Sequence, residues 1–406
     1  MRIKDIVVRE ILDSRGEKTI EVAVADEDLR AFYAQIPSGR SRGKREAAVL
    51  PFREAEAAAA KIERALAGRD FESVKDLDRT LIEMDGTPRK ERLGGNVMLG
   101  VSLAVARALA FERKEELWQV LNREFFAGRT TGHFQPLIFS NLINGGRHAQ
   151  NGLPVQEYMV VVRPRGSYVK TVGKLLKFYE VLGDILRRKT GEEELPLGDE
   201  GGYATAFEDA FDPVQTLEDV INEHSLGDQF SIALDVAADS LYRDGAYDFG
   251  GLKLEATTLR ETYEDWFEWA PHLASIEDPF EEGAGDDFAS LRRDLASMAG
   301  EKWVVGDDLT VTDPVLIEKY AAIGAIDAVI IKANQAGTLS EACEAMNKAS
   351  ALGLKRIVSH RSGETEDNFL VHLARAGNAE GVKMGAPHES RVGKFNELLR
   401  LEGGMV

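Results

Sequence analysis

Residues 273–278 read LASIED, a short apolar run that ends in two adjacent carboxylates, Glu277 and Asp278. Asp278 precedes Pro279, and an Asp-Pro pair is a common way to leave a strand and begin a turn. A carboxylate at the end of a strand can also hold a metal ion. Both explanations stay open for this stretch alone, and the sequence on either side of it decides between them.

The same pattern recurs along the chain. Five further short runs end in a polar or charged side chain: SIALD at Asp235, WVVGD at Asp307, AVIIK at Lys332, RIVSH at His360 and GVK at Lys383. Successive ends lie 42, 30, 25, 28 and 23 residues apart, a spacing that accommodates one strand, one helix and two short loops. The pattern predicts an α/β fold, a (β/α)8-type TIM barrel over residues 131–406, with the polar ends at one mouth. A doubly wound sheet is the alternative, because periodicity alone does not close a barrel.

The first 130 residues follow a different pattern. Two runs with many β-branched residues, 3–12 and 19–36, predict strands, whereas 55–68 and 96–111 predict helices. Strands followed by helices predict a separate α+β domain over residues 1–130. The apolar segment 96–111 is shorter than a membrane span, which needs about 18 residues or more, and it contains Arg107, so it predicts a buried helix.

The composition limits the classes of partner. Hydrophobic residues make up 44% of the 406 residues, enough for a sizeable core, and the net charge is −19. That charge disfavours nucleic acid or an anionic membrane as the main partner, and an anionic substrate would need a local concentration of cations. Cys343 is the only cysteine, which excludes an internal disulfide and is typical of a reducing compartment. With no apolar signal region at the N-terminus, these features predict a cytoplasmic protein.

Three carboxylates, those of Asp235, Glu277 and Asp307, end successive runs. In a barrel they would converge and repel one another unless a cation lies between them, and oxygen ligands suit Mg²⁺. A helix cap or loop acid is the alternative for each residue alone. Helix caps would not be expected to recur at the ends of successive strands, so the metal hypothesis is favoured.

Other polar groups at the predicted mouth suggest acid–base chemistry on an anion. Lys332 has apolar neighbours that predict desolvation and a lowered pKa, as a general base needs, although a snorkelling lysine is the alternative. His360, Arg361 and Ser362 predict an anion site, or else a capped helix start. Glu200 precedes two glycines at 201–202 and is either a proton donor or part of a plain turn.

Two loops carry further candidates. Residues 144–158 contain His148, Gln156 and Glu157. Residues 37–47 form a loop with glycine, serine and arginine that includes Ser41 and could act as a lid. A solvated basic loop is the alternative explanation for the second.

Several motifs occur together in one order: EILDSRG (10–16), PSGRSRG (37–43), GDEGGYA (198–204), SIEDPF (275–280), VVGDDLTVTDP (304–314) and VSHRSGETED (358–367). With them the chain resembles the enolase family over nearly its whole length. The resemblance implies an N-terminal α+β domain and a barrel with an irregular start. It also implies the reversible dehydration of 2-phosphoglycerate to phosphoenolpyruvate, two Mg²⁺ ions per active site, and a homodimer or larger homo-oligomer.

The resemblance also implies roles for individual residues. Asp235, Glu277 and Asp307 match the ligands of one Mg²⁺, and Ser41 matches the lid serine that reaches the second. Lys332 matches the base that removes the C2 proton, and Glu200 the acid that helps hydroxide leave C3. The implied substrate-binding residues are His148, Gln156, Glu157, His360, Arg361, Ser362 and Lys383.

The lid differs from the family pattern, since Arg40 and Arg42 flank Ser41 where Ala and Thr are usual. This difference keeps a second enzyme hypothesis open, proton abstraction beside a different carboxylate. A binding or scaffold protein on the same fold is a third hypothesis. Loss of turnover on substituting Lys332 would distinguish an enzyme from a scaffold.

Overall fold

The N-terminal part of the fold begins with an antiparallel sheet. The computed structural model describes residues 1–39, 43, 45–128 and 134–402. Strands β1 (Ile3–Leu12), β2 (Lys18–Asp26) and β3 (Ala31–Ile36) pair in that order. The run 19–36 is therefore two strands, divided by a tight turn in which Leu29 has a φ of 63°. The Asp26 carboxylate stabilises this turn by accepting a hydrogen bond from the Arg30 amide at 2.9 Å.

Four helices follow this sheet: α1 (Phe52–Leu66), α2 (Val74–Asp85), α3 (Gly95–Arg113) and α4 (Leu117–Phe125). Helix α3 packs closely on β2, because a Cβ at Gly100 would lie only 2.2 Å from Val22 Cγ2. By length and composition α3 could cross a membrane, but 83% of its apolar window is buried inside the fold. It is the buried helix that the sequence predicted.

A barrel and its covering helices make up the rest of the described chain. The strands are β4 (Leu137–Asn144), β5 (Glu157–Val162), β6 (Phe230–Asp235), β7 (Tyr242–Arg243), β8 (Ala246–Phe249), β9 (Leu252–Leu254), β10 (Leu273–Glu277), β11 (Trp303–Gly306), β12 (Ala328–Ile331), β13 (Lys355–Ser359) and β14 (Gly381–Lys383). The helices are α5 (Tyr168–Thr190), α6 (Asp212–Glu223), α7 (Ala256–Trp269), α8 (Gly285–Leu295), α9 (Pro314–Ala322), α10 (Ala333–Ala336), α11 (Leu339–Ala351), α12 (Phe369–Gly377) and α13 (Val392–Glu402).

The barrel is closed, in the order β4-β5-β6-β10-β11-β12-β13-β14 and back to β4. Strand β5 is antiparallel to both β4 and β6, whereas the other neighbours are parallel. Closure excludes the doubly wound sheet, and the reversed strand is the irregular start that the resemblance implied. The small sheet β7-β8-β9 lies between β6 and α7 in the chain.

The interior of the barrel is filled by side chains that include Phe139, Met159, Val161 and Ile330. Because these side chains occupy the interior, ligand chemistry is confined to the ends of the strands. The mouth at the strands' carboxyl ends is partly covered by the N-terminal domain. Ser38 and Gly363 exchange two backbone hydrogen bonds, of 2.8 and 2.9 Å. The predicted domain division between residues 130 and 131 falls outside the described residues and stays a prediction.

A candidate active site at the barrel mouth

Three buried carboxylates meet at the carboxyl ends of neighbouring strands. Asp235 and Glu277 end β6 and β10 and are direct partners in the parallel register, and Asp307 follows β11. One oxygen from each of the three lies within 4.8 Å of the other two. The strand ends therefore converge as the sequence spacing predicted. Their role as metal ligands stays a prediction.

Lys383, at the end of β14, supplies a cation to this cluster. Its Nζ lies 3.0 Å from Asp235 Oδ2, 2.9 Å from both carboxylate oxygens of Glu277 and 3.1 Å from Glu157 Oε2. Burial lowers the pKa of Lys383, but these carboxylates outweigh it and raise the pKa well above its usual value. Burial and Asp235 also raise the pKa of Glu277 well above its ordinary range. The raised pKa of Glu277 reflects acids crowded together in a buried place, and such a set of oxygen donors fits a hard divalent cation.

Lys332 is held by one of the same acids. It precedes α10 directly, and its Nζ donates a hydrogen bond to Asp307 Oδ2. Burial lowers the pKa of Lys332, but Asp307 outweighs this effect and raises the pKa above its usual value. The lowered pKa that the sequence predicted is therefore wrong for this arrangement, because the neighbouring acid could not be seen in the apolar run.

A second cluster contains His148, Glu157 and Glu200, with one ligand atom of each within 4.8 Å of the others. Glu200 Oε2 accepts a hydrogen bond from Asn141 Nδ2 at 3.0 Å and lies 3.4 Å from His360 Nε2. Burial lowers the pKa of His148, and it lowers that of His360 to about 4. Both imidazoles are therefore neutral at about pH 7.

Glu157 and Glu200 titrate as a pair. Burial and the neighbouring Glu200 raise the pKa of Glu157 well above its usual value. Burial also raises the pKa of Glu200, but protonated His360 and His148 outweigh it and lower that pKa well below the usual range. Since these imidazoles are neutral at about pH 7, they stabilise the Glu200 carboxylate little there. The two pKa directions nevertheless differ, and they place the proton of this pair on Glu157 rather than on Glu200.

Arg361 follows β13 and carries a buried guanidinium. Its Nη1 and Nη2 lie 3.0 and 3.2 Å from the carboxylate oxygens of Glu46, in the N-terminal domain, and Nη1 also donates to Asn334 Oδ1 at 3.1 Å. Arg391 Nη2 donates to the backbone oxygen of Ser362 at 2.9 Å. Arg361 lines the mouth and Arg391 lies behind Ser362 and His360, and we call this side of the mouth the cationic wall, which suits an anionic substrate group.

Sequence reasoning missed several of the described residues at this site, four of which are Glu46, Asp278, Gln335 and Arg391. Asp278 does end the strand, as predicted, but its carboxylate also accepts hydrogen bonds from the amides of Asp307 and Asp308, at 2.9 and 2.6 Å. Gln335 Nε2 donates to Asp307 Oδ1 at 3.1 Å. Only Asp278 gave a signal in the sequence, as the second acid of the Glu-Asp pair. Glu46, Gln335 and Arg391 reach the site through contacts with residues that are distant in the sequence.

One small cavity connects most of the predicted site residues. It has a volume of about 20 Å³, room for little more than one water molecule. Eleven predicted residues line it: His148, Gln156, Glu157, Glu200, Asp235, Asp307, Lys332, His360, Arg361, Ser362 and Lys383. Glu277 lies beside it through its contact with Lys383, whereas Ser41, Arg40 and Arg42 lie outside the described residues. A larger ligand would require the paired charges to move apart.

Clustered oxygen ligands, a lysine and a glutamate facing one cavity, and a cationic wall define an acid–base enzyme of the divalent-metal-dependent barrel class. Two family models match this chain, the N-terminal domain of enolase over residues 3–121 and its C-terminal TIM barrel domain over residues 133–406. The chain is also similar to curated proteins named enolase. It is 39% identical to that of Methanopyrus kandleri, over 99% of this chain and 95% of the relative. It is 38% identical to that of Pyrococcus furiosus, over 98% of this chain and 94% of the relative. The chain belongs to the enolase family.

Family membership confirms the predicted family, the predicted fold class and the predicted enzyme class, a hydro-lyase (phosphopyruvate hydratase) of glycolysis. The family uses divalent metal and binds a phosphorylated small molecule, which agrees with the clustered carboxylates and the cationic wall. The scaffold hypothesis and the hypothesis of a different substrate lose support, because every predicted residue in the described chain lies in or beside one cavity.

Proposed function

We propose that this chain dehydrates 2-phosphoglycerate to phosphoenolpyruvate, and catalyses the reverse hydration, at the barrel mouth. The observation that carries the proposal is that Lys332 and Glu200 line the same cavity, together with Asp235, Asp307 and Arg361. An elimination that removes a proton from C2 and hydroxide from C3 needs a base and an acid at one substrate. The cavity offers both groups.

We propose two Mg²⁺ ions per active site. Asp235, Glu277 and Asp307 would hold the first ion, since their oxygens are mutually close and the crowding of these acids raises the pKa of Glu277. The second ion rests on the expectation for Ser41, which lies outside the described residues. When bound, Mg²⁺ would supply the electrostatic stabilisation that a carboxylate needs as its neighbouring carbon loses a proton.

Lys332 would take the C2 proton through Nζ. Lys332 can accept a proton only as a neutral amine, whereas its contact with Asp307 favours the charged ammonium. We therefore infer that productive binding separates Lys332 from Asp307. Burial of the freed amine then lowers its pKa, because a charged ammonium without a partner is costly in a buried site.

Glu200 would give a proton to the hydroxide that leaves C3. Glu157 beside it supports this role, since burial and Glu200 raise the pKa of Glu157 and so keep a proton close to Glu200 that could supply the step. Neutral His148 and His360 can donate or accept hydrogen bonds at the same place without adding charge. This arrangement keeps a proton donor available at neutral pH.

The remaining side chains would bind and orient the substrate. Arg361 and Ser362 suit the phosphate, because a guanidinium binds phosphate with two parallel hydrogen bonds. Lys383 suits the substrate carboxylate, and Gln156 offers a buried amide oxygen that makes no hydrogen bond within the described residues. We also propose a cytoplasmic homodimer or larger homo-oligomer, with no nucleic acid partner. The location is supported by the single cysteine and the charge of −19, and the assembly by the resemblance.

The direct test is the formation of phosphoenolpyruvate from 2-phosphoglycerate by the purified chain, with excess Mg²⁺ and again with a chelator. We expect turnover that the chelator abolishes and that added Mg²⁺ restores. A folded protein that binds Mg²⁺ and 2-phosphoglycerate without turnover would overturn the proposal. It would favour the scaffold hypothesis instead.

A further inference from the structure

A second cavity lies against the loop that carries His148. Its volume is about 360 Å³, within the range of roughly 300–1,000 Å³ that is typical of small-molecule sites. Leu153 and Pro154, in the same loop as His148, form part of its wall. Among the described residues, none lines both this cavity and the one at the barrel mouth. The second cavity is therefore a separate place for a ligand.

Aromatic rings make up much of the cavity wall: Phe207, Phe211, Phe249, Trp266 and Trp269. Trp269 is 57% exposed, and its ring meets that of Phe211 edge-on, with centroids 5.3 Å apart. Beneath them Trp266 and Phe249 are buried, with centroids 5.8 Å apart. The faces of aromatic rings carry partial negative charge and attract cations that come within about 6 Å. An open wall of this kind favours a cationic ligand with an apolar body.

The charged residues that line the cavity also favour a cationic ligand. Glu208 and Asp209 line it, and no lysine, arginine or histidine does so within the described chain. The Asp209 carboxylate accepts hydrogen bonds from the amides of Phe211 and Asp212, at 2.7 and 3.0 Å. The Glu208 carboxylate makes no hydrogen bond or ion pair with any described residue, so it remains available to a ligand.

We propose that this cavity binds a small organic cation, whose charged centre lies against the rings of Trp269 and Phe211 and near the Glu208 carboxylate. The apolar part of the ligand contacts Leu153 and Leu252. Charge complementarity selects this class over anions, and the aromatic wall selects an organic cation over a metal ion, which would need more oxygen ligands than two carboxylates provide.

The loop of residues 144–158 contributes residues to the walls of both this cavity and the cavity at the barrel mouth. Gly146 donates its amide hydrogen bond to Leu153 O at 2.9 Å, and Gly145 donates to Gln156 O at the same distance. A ligand that presses on Leu153 thus acts on the hydrogen bonds that hold His148 and Gln156 in place. We expect occupancy to change the KM for substrate, and by reciprocity substrate should change the affinity for the cation. This coupling rests on the proposed function, whereas the binding itself does not.

The test uses the whole chain and benzyltrimethylammonium as the probe, with neutral benzyl alcohol as the matched ligand without charge. Quenching of tryptophan fluorescence should saturate with the cation and not with the alcohol over the same concentrations. Trp269→Ala should weaken binding about three- to thirtyfold, and Glu208→Gln about two- to fivefold. Trp118→Phe, in the N-terminal domain, and Glu268→Gln, an exposed acid outside the cavity lining, should leave the affinity unchanged.

Each outcome decides one part of the proposal. The site is rejected if the cation shows no saturation, if the alcohol binds equally well, or if Trp269→Ala and Glu208→Gln both keep the wild-type affinity. With the site occupied, an unchanged KM for 2-phosphoglycerate in wild type rejects the coupling and leaves the site standing. If the protein has no turnover at all, the fluorescence titration still decides whether the site exists.

Discussion

The guanidinium of Arg361 at the barrel mouth contacts the carboxylate of Glu46 in the N-terminal domain through two N–H···O distances of 3.0 and 3.2 Å. Both side chains are buried. The Glu46 carboxylate therefore already occupies one side of the Arg361 guanidinium, the group that we propose binds the substrate phosphate. The same carboxylate accepts a hydrogen bond from the amide of Gly43, next to the segment with Ser41. This pair links the N-terminal domain to the proposed phosphate site.

The Glu46→Ala variant should lose stability without substrate and recover much of it with substrate. Removing one partner of a buried ion pair costs roughly 3–5 kcal/mol, because the remaining charge stays buried. The phosphate of 2-phosphoglycerate can then replace the carboxylate, so the substrate-induced rise in melting temperature should exceed that of wild type. Differential scanning fluorimetry with and without substrate measures both effects.

The matched control is Asp367→Ala, which removes the partner of Arg107 at the same domain interface but away from the cavity. It should also destabilise the protein, but its substrate-induced rise should equal that of wild type. If Glu46→Ala and Asp367→Ala respond alike to substrate, Glu46 has no link to the phosphate site.

Asp235→Asn should remove the response of stability to Mg²⁺. In wild type, we expect the melting temperature of the chelator-treated protein to rise as Mg²⁺ is added, because an ion that binds only the folded state stabilises it. Loss of one of three clustered carboxylates should suppress this rise. Glu318→Gln, an exposed acid on α9, is the control that should keep it. An unchanged Mg²⁺ response in Asp235→Asn would contradict the assigned metal site.

Asp78, buried in α2, should give stability a pH dependence that is unrelated to catalysis. Burial raises its pKa from an ordinary 3.8 to about 7, although its Oδ2 accepts a hydrogen bond from the Ser340 amide at 2.9 Å. A carboxyl with a raised pKa in the folded state favours folding fully below its unfolded pKa, and that contribution is lost as the pH rises through about 7.

Asp78→Asn should therefore gain stability relative to wild type between about pH 5 and about pH 8, by at most roughly 3 kcal/mol, since about two pH units separate pH 5 from the folded pKa. Melting temperatures of both proteins at the two pH values test this. Equal changes with pH in the two proteins would show that Asp78 does not titrate in this range.

The sequence predicted the fold and the site most accurately at strands whose carboxyl end carries a single polar side chain. Asp235, Glu277 and Asp307 could be placed at one mouth because parallel strands bring their carboxyl ends together. The antiparallel direction of β5 had no local signal, since β5 is buried on both faces and the periodicity of a strand does not give its direction. It entered only as the irregular start that the resemblance implied.

Contacts between segments that are far apart in the chain could not be predicted from the sequence. Glu46 and Arg361 are 315 residues apart, and nothing in either segment marks the other. The raised pKa of Lys332 has the same origin, because it depends on a hydrogen bond to Asp307 across two neighbouring strands. Apolar flanks predict burial, but the charge that balances a buried lysine comes from elsewhere in the chain.

Lys332→Ala should lower kcat by at least about 100- to 10,000-fold, the usual contribution of a general base or acid. Glu200→Gln should lower kcat by a similar factor while keeping much of the substrate affinity, since an amide retains the shape of the side chain. Steady-state kinetics with saturating Mg²⁺ measure both. A kcat for Lys332→Ala within a fewfold of wild type would contradict its role as the base.

The exchange of the C2 hydrogen of 2-phosphoglycerate with solvent deuterium, followed by NMR in the two variants, tests the central claim most directly. The claim is that Lys332 removes this proton and that Glu200 acts only in the departure of the C3 hydroxide. Glu200→Gln should exchange the C2 hydrogen while forming little phosphoenolpyruvate, and Lys332→Ala should do neither. Exchange by Lys332→Ala at the wild-type rate would contradict the claim.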